Sequence, residues 1–354
     1  MHILCLDIGS GTQDVLLYSQ GSELENCPKF VLPSPASLRS REIARLTGQG
    51  KPIYLFGQNM GGGFGQAVLD HVKHGLPAAA HPEAALALSD SPEKVRSMGL
   101  DLSESRPAGF SPVFLSDYEP GFWRTFLAQL SLDPPDLVAA AAQDHGYHPQ
   151  SSNRLGRFTI WREFLEEQGG RLEALLFDRP PQTFTRLAAI QQATGGGFVA
   201  DTGAAAVLGA LFDPEVEAEA ADGGVCVVNA GNSHSLVFLI RQERIVGVLE
   251  HHTGLLTPEK LWELIESFRQ GRLKNQEVFD DWGHGCHLAA AAEGAGPFEP
   301  VYVLGPRRHL LSGYPVRFLC PGGDVMLAGC FGLLKGLEIL GRIGSVPRGA
   351  VQGG

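Results

Sequence analysis

The sequence predicts an α/β protein built from two similar domains. Apolar segments of strand length alternate with amphipathic segments of helix length, and clusters of glycine flank many of them. A pattern of strand, glycine turn and strand occurs twice, at residues 3–19 and 224–252. A chain of 354 residues with 44% hydrophobic content is long enough to bury two cores.

The predicted elements follow the chain in a regular order, except in one segment. The run at 136–143 fits either a buried strand or a short helix, and residues 77–135 read as an irregular insertion or a small subdomain. The expected domains are 1–211, including that insertion and closed by a C-terminal helix at 324–342, and 222–320. The other predicted strands are 3–8, 13–18, 28–32, 52–56, three between 224 and 252, 300–305 and 316–319; the predicted helices are 36–47, 64–74, a pair within 158–177, 201–212 and 257–271.

Composition excludes several classes of function. The formal net charge of −11, from 28 basic and 39 acidic side chains, argues against broad binding to DNA or RNA. No apolar run is long enough to cross a membrane, and the N-terminus lacks the pattern of a signal peptide, so a cytoplasmic protein is expected. The six cysteines form no CxxC or CxxxCxxC motif, which disfavours an iron–sulfur cluster held by one local run.

The first glycine turn carries the strongest functional signal. Its sequence is GxGxxD rather than GxGxxG, and it leads into a strand rather than a helix, so it does not match a dinucleotide-binding turn. Backbone amides around Gly9 and Gly11 can form an anion-binding nest, beside the Asp7 carboxylate and the Thr12 hydroxyl. A tight turn without a ligand is the alternative interpretation.

The order of the motifs resembles the actin, sugar-kinase and Hsp70 superfamily. Residues 7–14 read DxGxGTxD, like its first phosphate loop, and residues 200–213 resemble its connecting helix. Residues 226–240 occupy the place of its second phosphate loop, 301–313 resemble its adenosine turn, and 322–336 its closing helix. The resemblance implies a two-domain actin-like, ribonuclease H-like fold that binds ATP and Mg²⁺ in the cleft between domains.

The resemblance also implies which residues bind the nucleotide. Asp7 would hold Mg²⁺ through water. The cofactor-binding residues carried over from the two phosphate loops and the adenosine turn are Gly9, Ser10, Gly11, Thr12, Asn229, Gly231, Asn232, Ser233 and Gly305. Arg307 and Arg308 beside that turn could contact phosphate or base, or lie on the surface.

Within the superfamily, the segments MGGG (60–63), QDHG (143–146), EHHT (250–253) and GHG (283–285) resemble a prokaryotic family. Its members carry the label "putative pyruvate formate-lyase activating enzyme". That label implies radical chemistry based on S-adenosylmethionine, which requires a CxxxCxxC motif that this sequence lacks.

The second phosphate loop departs from the superfamily pattern. It reads N-A-G-N-S-H-S, with Asn229 where active ATPases have an acid, and an amide adds no negative charge to a magnesium shell. ATP hydrolysis or phosphoryl transfer to an unknown small molecule therefore competes with a second hypothesis, a nucleotide sensor or scaffold without turnover. A metal-dependent enzyme using the histidines is the third.

Three aspartates are candidates for catalysis. Asp7 lies in the first loop, Asp201 matches the acid before the connecting helix, and Asp144 follows the predicted strand 136–143. Asp201 could instead be only a helix N-cap, and Asp144, with His145, could be only part of a turn.

The histidines occur in close groups at 144–148, 250–252 and 284–287. His145, His251 and His252 are candidate substrate residues. Residues 143–146 resemble a segment of carbohydrate kinases where substrate is bound, and the end of the third strand of the second unit, at His251 and His252, leads toward the cleft. Gly61 and Gly62 are candidates because their turn can open a helix that binds an anion. Structural or solvent-facing roles stay open for the histidine groups, as does a zinc site of histidine and cysteine ligands to which Glu250 could add an oxygen.

Overall fold

The computed structural model describes residues 1–292 and 296–348, and these form three β-sheets flanked by helices. The strands are β1 (His2–Ile8), β2 (Thr12–Ser19), β3 (Lys29–Pro33), β4 (Ile53–Gly57), β5 (Ala78–Ala80), β6 (Leu100–Leu102), β7 (Ser111–Leu115), β8 (Leu137–Ala142), β9 (Leu176–Phe177), β10 (Phe198–Ala200), β11 (Val225–Ala230), β12 (His234–Arg241), β13 (Arg244–His252), β14 (Gly285–Leu288), β15 (Val301–Leu304) and β16 (Arg317–Phe318). The α-helices are α1 (Pro35–Gly48), α2 (Gly65–Lys73), α3 (Pro82–Ala85), α4 (Pro92–Ser97), α5 (Pro120–Gln129), α6 (Asn153–Glu166), α7 (Thr185–Ala193), α8 (Thr202–Ala210), α9 (Pro214–Asp222), α10 (Pro258–Arg269), α11 (Asn275–Asp280) and α12 (Ala328–Ile339).

The first and second sheets share one topology over five strands, and β9 (antiparallel to β10) and β14 (antiparallel to β13) each add one further edge strand. In the first, the order is β3-β2-β1-β8-β10-β9, with β1, β2 and β3 antiparallel and β8 and β10 added in parallel beside β1. In the second, the order is β14-β13-β12-β11-β15-β16, with β11, β12 and β13 antiparallel and β15 and β16 added in parallel. This duplication of two hairpins and parallel crossovers is the predicted two-domain actin-like, ribonuclease H-like α/β fold, which the strand order confirms.

The run at 136–143 is the strand β8, which settles the choice between strand and helix. It lies in the centre of the first sheet, between β1 and β10, and Ala139–Ala142 are fully buried there. Side chains this small let helices pack closely on both faces of the sheet. Because β1 and β8 run parallel, their carboxyl ends meet at the same edge, where the predicted site residues follow.

The third sheet shows that the insertion is a small, regular subdomain. Its order is β6-β5-β4-β7 and all its strands are parallel. The subdomain has its own core, which includes Ile43 of α1, Phe64 and Val113. The predicted limits of 77–135 are therefore too narrow, because β4 and the helices α1 and α2 belong to the same unit. The Pro and Ser residues that suggested irregular structure begin short helices here, as at Ser91 and Pro92.

Two helices rich in small residues lie between the first and second sheets. The helix α8 contributes Val207 to the core of the second sheet and Ala205 to that of the first. A Cβ atom on Gly332 of α12 would lie 1.8 Å from the carbonyl oxygen of Ala205, so the two backbones are in direct contact. Small residues on both helices allow this close approach, and the N-terminus of α8 points to the edge where β1 and β8 end.

The predicted helix pair at 158–177 is wrong in its second half. The helix α6 ends at Glu166, and the chain continues as a 3₁₀ turn, Leu172–Leu175, and the short strand β9. Gly169 and Gly170 have positive φ, and the Gly170 carbonyl accepts a hydrogen bond from Ile245 N at 2.8 Å. This anchor to β13 ends the helix.

The helices of residues 1–292 and 296–348 include none with the length and hydropathy of a membrane span.

Candidate functional site

The two glycine hairpins face each other. The turn between β1 and β2 is closed by Gly9 N donating to Thr12 O at 2.9 Å, and the turn between β11 and β12 by Gly231 N donating to His234 O at 3.0 Å. The hydroxyl oxygens of Ser10 and Ser233, at the tips of the two turns, are 3.4 Å apart. Two bends that are 223 residues apart in the sequence therefore meet across one crevice.

A cleft of about 530 Å³ surrounds this contact. Its volume lies within the range of small-molecule sites. Most of the predicted site residues line it: Asp7, Gly9, Ser10, Gly11, Thr12, Gly61, Gly62, Asp144, His145, Asn229, Gly231, Asn232, Ser233 and Gly305. Gly203, at the N-terminus of α8, and Gly329, at the N-terminus of α12, also line the cleft, so the positive ends of two helix dipoles point into it.

Two aspartates lie side by side at the base of the first hairpin. Asp7 and Asp14 are directly opposite on β1 and β2. Burial raises the pKa of Asp7 to about 7, although a hydrogen bond from Thr202 opposes the shift. Burial, with the neighbouring Asp7 and Asp324, raises the pKa of Asp14 to about 8. Asp14 Oδ1 is buried and has no hydrogen-bond partner among the described residues. A pair of carboxylates with a free oxygen supplies the hard ligands that Mg²⁺ prefers.

The second hairpin carries an amide where the first carries an acid. Asn229 is the next-to-last residue of β11 and is 8% exposed. Its Oδ1 lies 2.7 Å from the position of a Cβ atom on Gly305, so the turn after β15 packs directly against it. Of the two arginines that follow, Arg307 is exposed, and Arg308 donates a hydrogen bond to Gly305 O at 3.3 Å. Arg307 therefore lies on the surface, which was the alternative to a contact with phosphate or base.

Asp201 and Asp144 both cap helices. Asp201 Oδ1 accepts from Gly203 N at 2.8 Å, so Asp201 is the N-cap of α8, and its catalytic role stays a prediction. Asp144 Oδ2 accepts from Arg186 N and Leu187 N, at 2.9 and 3.0 Å, in the first turn of α7. Burial raises the pKa of Asp144. Both carboxylates are therefore fully engaged, and a role as a base would require their partners to move.

Arg157 joins both domains at the back of the cleft. Its Nη1 and Nη2 donate to the two oxygens of Asp201 at 2.8 and 3.0 Å, and its Nε donates to Glu250 at 2.8 Å. Glu250 also accepts from Trp161 Nε1 at 3.1 Å. Burial alone would raise the pKa of Glu250, but the Arg157 guanidinium outweighs it and holds the pKa at about 2. Arg157 was not predicted, since a single arginine on an amphipathic helix gives no signal in the sequence.

Four histidines meet beside the second hairpin. His234, His252 and His284 come from three adjacent strand ends, and their ring centroids are 4.7–4.8 Å apart. The His145 ring lies 6.2 Å from both His234 and His284. Burial lowers the pKa of His145 and His234 to about 4 and that of His284 to about 3, so these imidazoles are neutral at pH 7.

The third strand separates its two candidate histidines. His252 belongs to the histidine cluster, whereas His251 points to the other face and contacts Asp281 Oδ2 through Nε2 at 3.0 Å. Alternation along β13 causes this difference, because successive side chains point to opposite faces. The alternation of side chains along a strand was therefore enough to predict from the sequence that Glu250 and His252 lie on the same face of β13.

The glycine turn at 60–63 lines the same cleft, beside the first hairpin, where a Cβ atom on Gly63 would lie 3.5 Å from Ser10 O. The Gly61 amide donates to Asp117 at 3.3 Å, and Asp117 accepts a bidentate ion pair from Arg186. The amide of Gly61 is thus already paired with an anionic side chain. The helix α2 begins only at Gly65, after a 3₁₀ turn, Gly62–Phe64.

The fold and cleft define a two-domain actin-like protein with a pair of phosphate-loop-like hairpins. The chain belongs to the family described as "Putative pyruvate format-lyase activating enzyme (DUF1786)", whose sequence model matches residues 60–310. An iron–sulfur cluster does not fit the cysteines, since five of the six are buried in apolar cores and only Cys320 is exposed. The one group of three or more metal-competent side chains in the described part of the chain is His234, His252 and His284.

Solved structures similar to this chain share little sequence with it. Ethanolamine utilization protein EutJ from Carboxydothermus hydrogenoformans is 10% identical over 94% of this chain and 89% of its own, with a TM-score of 0.31. The activator of 2-hydroxyisocaproyl-CoA dehydratase from Clostridium difficile, with bound ADPNP, is 10% identical over 98% of this chain and 100% of its own, with a TM-score of 0.35. Lmo2764 from Listeria monocytogenes, described as "a putative N-acetylmannosamine kinase", is 11% identical over 96% of this chain and 100% of its own, with a TM-score of 0.35. No curated protein sequence matches the chain.

Proposed function

We propose that the protein binds ATP with Mg²⁺ in the cleft between its two domains. The observation that carries the proposal is the 3.4 Å contact between Ser10 and Ser233 at the tips of the two hairpins. Backbone amides from both turns can bind phosphate oxygens, and the positive ends of α8 and α12 favour an anion between them. A triphosphate between the hairpins would separate the two hydroxyls, so we expect the domains to shift when nucleotide binds.

Magnesium would be held near the carboxylates of Asp7 and Asp14, and its charge would stabilise the transferring phosphate. The free oxygen of Asp14 and the raised pKa values of both groups support a cation here, because an added positive charge removes the repulsion between two neighbouring carboxylates. We infer that Thr202 orients Asp7 through the hydrogen bond from its Oγ1, at 3.2 Å. The adenosine group would lie at the turn after β15, around Gly305.

The reaction that we favour is ATP hydrolysis or phosphoryl transfer to a small molecule. The subdomain and the loop after β8 supply the remaining wall of the cleft, through Gly61, Gly62 and His145. This wall is where we propose that an acceptor binds. Asp201 and Asp144 are engaged as helix caps, so the group that orients the attacking oxygen is proposed to be Asp7 or a water bound beside it.

A nucleotide sensor without turnover is the second candidate function. It is favoured by Asn229, since an amide replaces the acid of the second loop and packs against Gly305 without adding charge. Such a protein would bind ATP and change the relative position of its two domains, but it would release no phosphate.

Binding of ATP to the purified protein, with and without MgCl₂, tests the proposal by calorimetry. We expect saturable binding that Mg²⁺ strengthens, and Asp7→Asn is expected to abolish the strengthening. Asp133→Asn, an exposed acid whose side chain is 80% accessible, is the matched control and is expected to bind as the wild type does. Absence of saturable binding under both conditions would overturn the proposal. Phosphate release then separates the two candidates, because only the enzyme releases it.

A further inference from the structure

We infer that His234, His252 and His284 form a binding site for a divalent transition-metal ion of the Zn²⁺ class. Each histidine offers one ring nitrogen, and these three atoms lie within 4.8 Å of one another. In a tetrahedral zinc site with bonds of about 2.1 Å, neighbouring nitrogens are about 3.4 Å apart. Small rotations of the rings therefore bring the three nitrogens into ligating positions.

The sheet register holds the three histidines in place. His234 and His252 are directly opposite on the antiparallel strands β12 and β13. His284 precedes β14 and donates its backbone amide to Glu250 O at 2.9 Å, which fixes it on the other side of β13. Three adjacent strand ends thus present one imidazole each, and the cluster does not depend on a mobile loop. This arrangement is the pre-organisation that a metal site requires.

Free ring nitrogens are the second observation that points to a ligand. His234 Nε2 and His284 Nδ1 are buried and have no hydrogen-bond partner among the described residues. An unpaired polar atom inside a protein costs free energy, so its retention calls for an explanation. A metal ion accepts the lone pairs of both nitrogens at once, whereas hydrogen bonding among the rings alone leaves these two atoms unpaired.

The surroundings favour a cation. Arg157 bears one positive charge, and it lies between the carboxylates of Glu250 and Asp201. The buried ionic group behind the cluster therefore has a net negative charge of about one, which an added cation would offset. Gln143 Nε2 contacts His234 Nδ1 at 2.9 Å and Glu250 Oε1 at 3.5 Å, so Nδ1 is occupied and Nε2 is the His234 nitrogen left to ligate.

Three protein nitrogens leave a fourth coordination position. His234 and His145 line the cleft, so that position opens toward the space between the domains. Three histidines with an open position are typical of a zinc ion that contacts a substrate or water. The inference does not depend on ATP binding, because the histidine cluster is complete without the hairpins.

Titration of the chelator-treated full chain with ZnCl₂ alone, followed by calorimetry, tests the site. We expect one tight equivalent per chain, and Co²⁺ in its place is expected to give the visible absorption of a four-coordinate ion. His252→Ala should weaken Zn²⁺ binding more than about 10-fold, since loss of an outer-shell partner alone reaches that scale. His309→Ala, an exposed histidine on the surface, is the matched control and should bind as the wild type does.

Circular dichroism of each variant separates loss of a ligand from loss of the fold. His252 is only partly buried, so His252→Ala is expected to fold even if a variant of the fully buried His284 does not. Absence of a tight equivalent in the wild type would overturn the inference. Wild-type affinity in a folded His252→Ala variant would overturn it as well, because the bound metal would then lie elsewhere.

Discussion

Arg157 Nε donates to both carboxylate oxygens of Glu250 at 2.8 Å, and this contact ties α6, the helix that follows β8, to the strand β13 of the second sheet. The other end of the guanidinium binds Asp201, at the N-terminus of α8. One side chain thus fixes the connecting helix, the helix α6 and the strand β13 relative to one another. All three groups are nearly inaccessible to solvent, with side-chain exposures of 3%, 0% and 8% for Arg157, Glu250 and Asp201.

Replacing Arg157 should destabilise the protein strongly. Arg157→Met leaves two buried carboxylates without a counter-charge, and the expected loss is about 3–5 kcal/mol of the free energy of unfolding. Urea denaturation measures it. Arg96→Met, which removes an exposed arginine that pairs with Glu93 at 3.8 Å, is the control, with an expected change of about 0–1 kcal/mol. Equal effects of the two substitutions would contradict the role of Arg157.

The parts of the site that depend on local sequence were predictable, and those that depend on distant contacts were not. The hairpins at Ser10 and Ser233 follow from glycine turns between strands, because their residues are consecutive. The pairing of Arg157 with Glu250 joins residues 93 positions apart, and nothing in α6 distinguishes this arginine from a solvated one. His234, which ligand spacing did not reveal, joins His252 only through the register of β12 and β13.

The subdomain illustrates the same limit for the fold. Its strands β5 and β6 contain three residues each, so neither produces a clear periodic signal. The residues of β5, Ala78–Ala80, are buried because β4 and β6 pair on either side of them. Only the tertiary contacts define β5 and β6, which is why residues 77–135 resembled an irregular insertion.

The contact between α8 and α12 should tolerate no added side chain. In Gly332→Ala the new methyl would lie 1.8 Å from Ala205 O and 2.7 Å from Gly209 N, both of which are backbone atoms. The helices must separate, so we expect a loss of about 1–3 kcal/mol in thermal or urea unfolding. Gly121→Ala, in α5 with no atom within 4 Å of the new methyl, should be neutral or slightly stabilising. A neutral Gly332→Ala would refute the close packing.

A substitution in α12 should displace the Asp7 side chain while leaving its carboxylate group unchanged. The Cβ atom of Gly329→Ala would lie 2.1 Å from Asp7 Oδ2, so the carboxylate must move. If Asp7 holds magnesium, this variant should lose most of the Mg²⁺-dependent gain in ATP affinity, as Asp7→Asn does. Calorimetry with ATP and MgCl₂ measures the gain. Gly254→Ala, with nothing within 4 Å of its new methyl, is the control, and an undiminished gain in Gly329→Ala would argue against Asp7.

The stability contributed by Glu217 should disappear in acid. The buried Lys335 ammonium on α12 binds Glu217, and Arg348 donates to its other oxygen at 2.7 Å. Burial opposes ionisation, but these two cations outweigh it and hold the pKa of Glu217 below its ordinary value of 4.5. The contribution is therefore complete above pH about 4.5 and is lost as the pH falls through the lower, folded-state pKa.

Glu217→Gln is thus expected to cost about 1–2 kcal/mol at pH 7, less than a fully buried pair because 44% of the Glu217 side chain is accessible. The difference between wild type and variant should shrink toward zero as urea unfolding is repeated at pH values below 4.5. Glu25→Gln, on an exposed 3₁₀ turn, is the control and should change little at any pH. A difference that stays constant or grows in acid would show that the carboxylate charge of Glu217 does not stabilise the buried lysine.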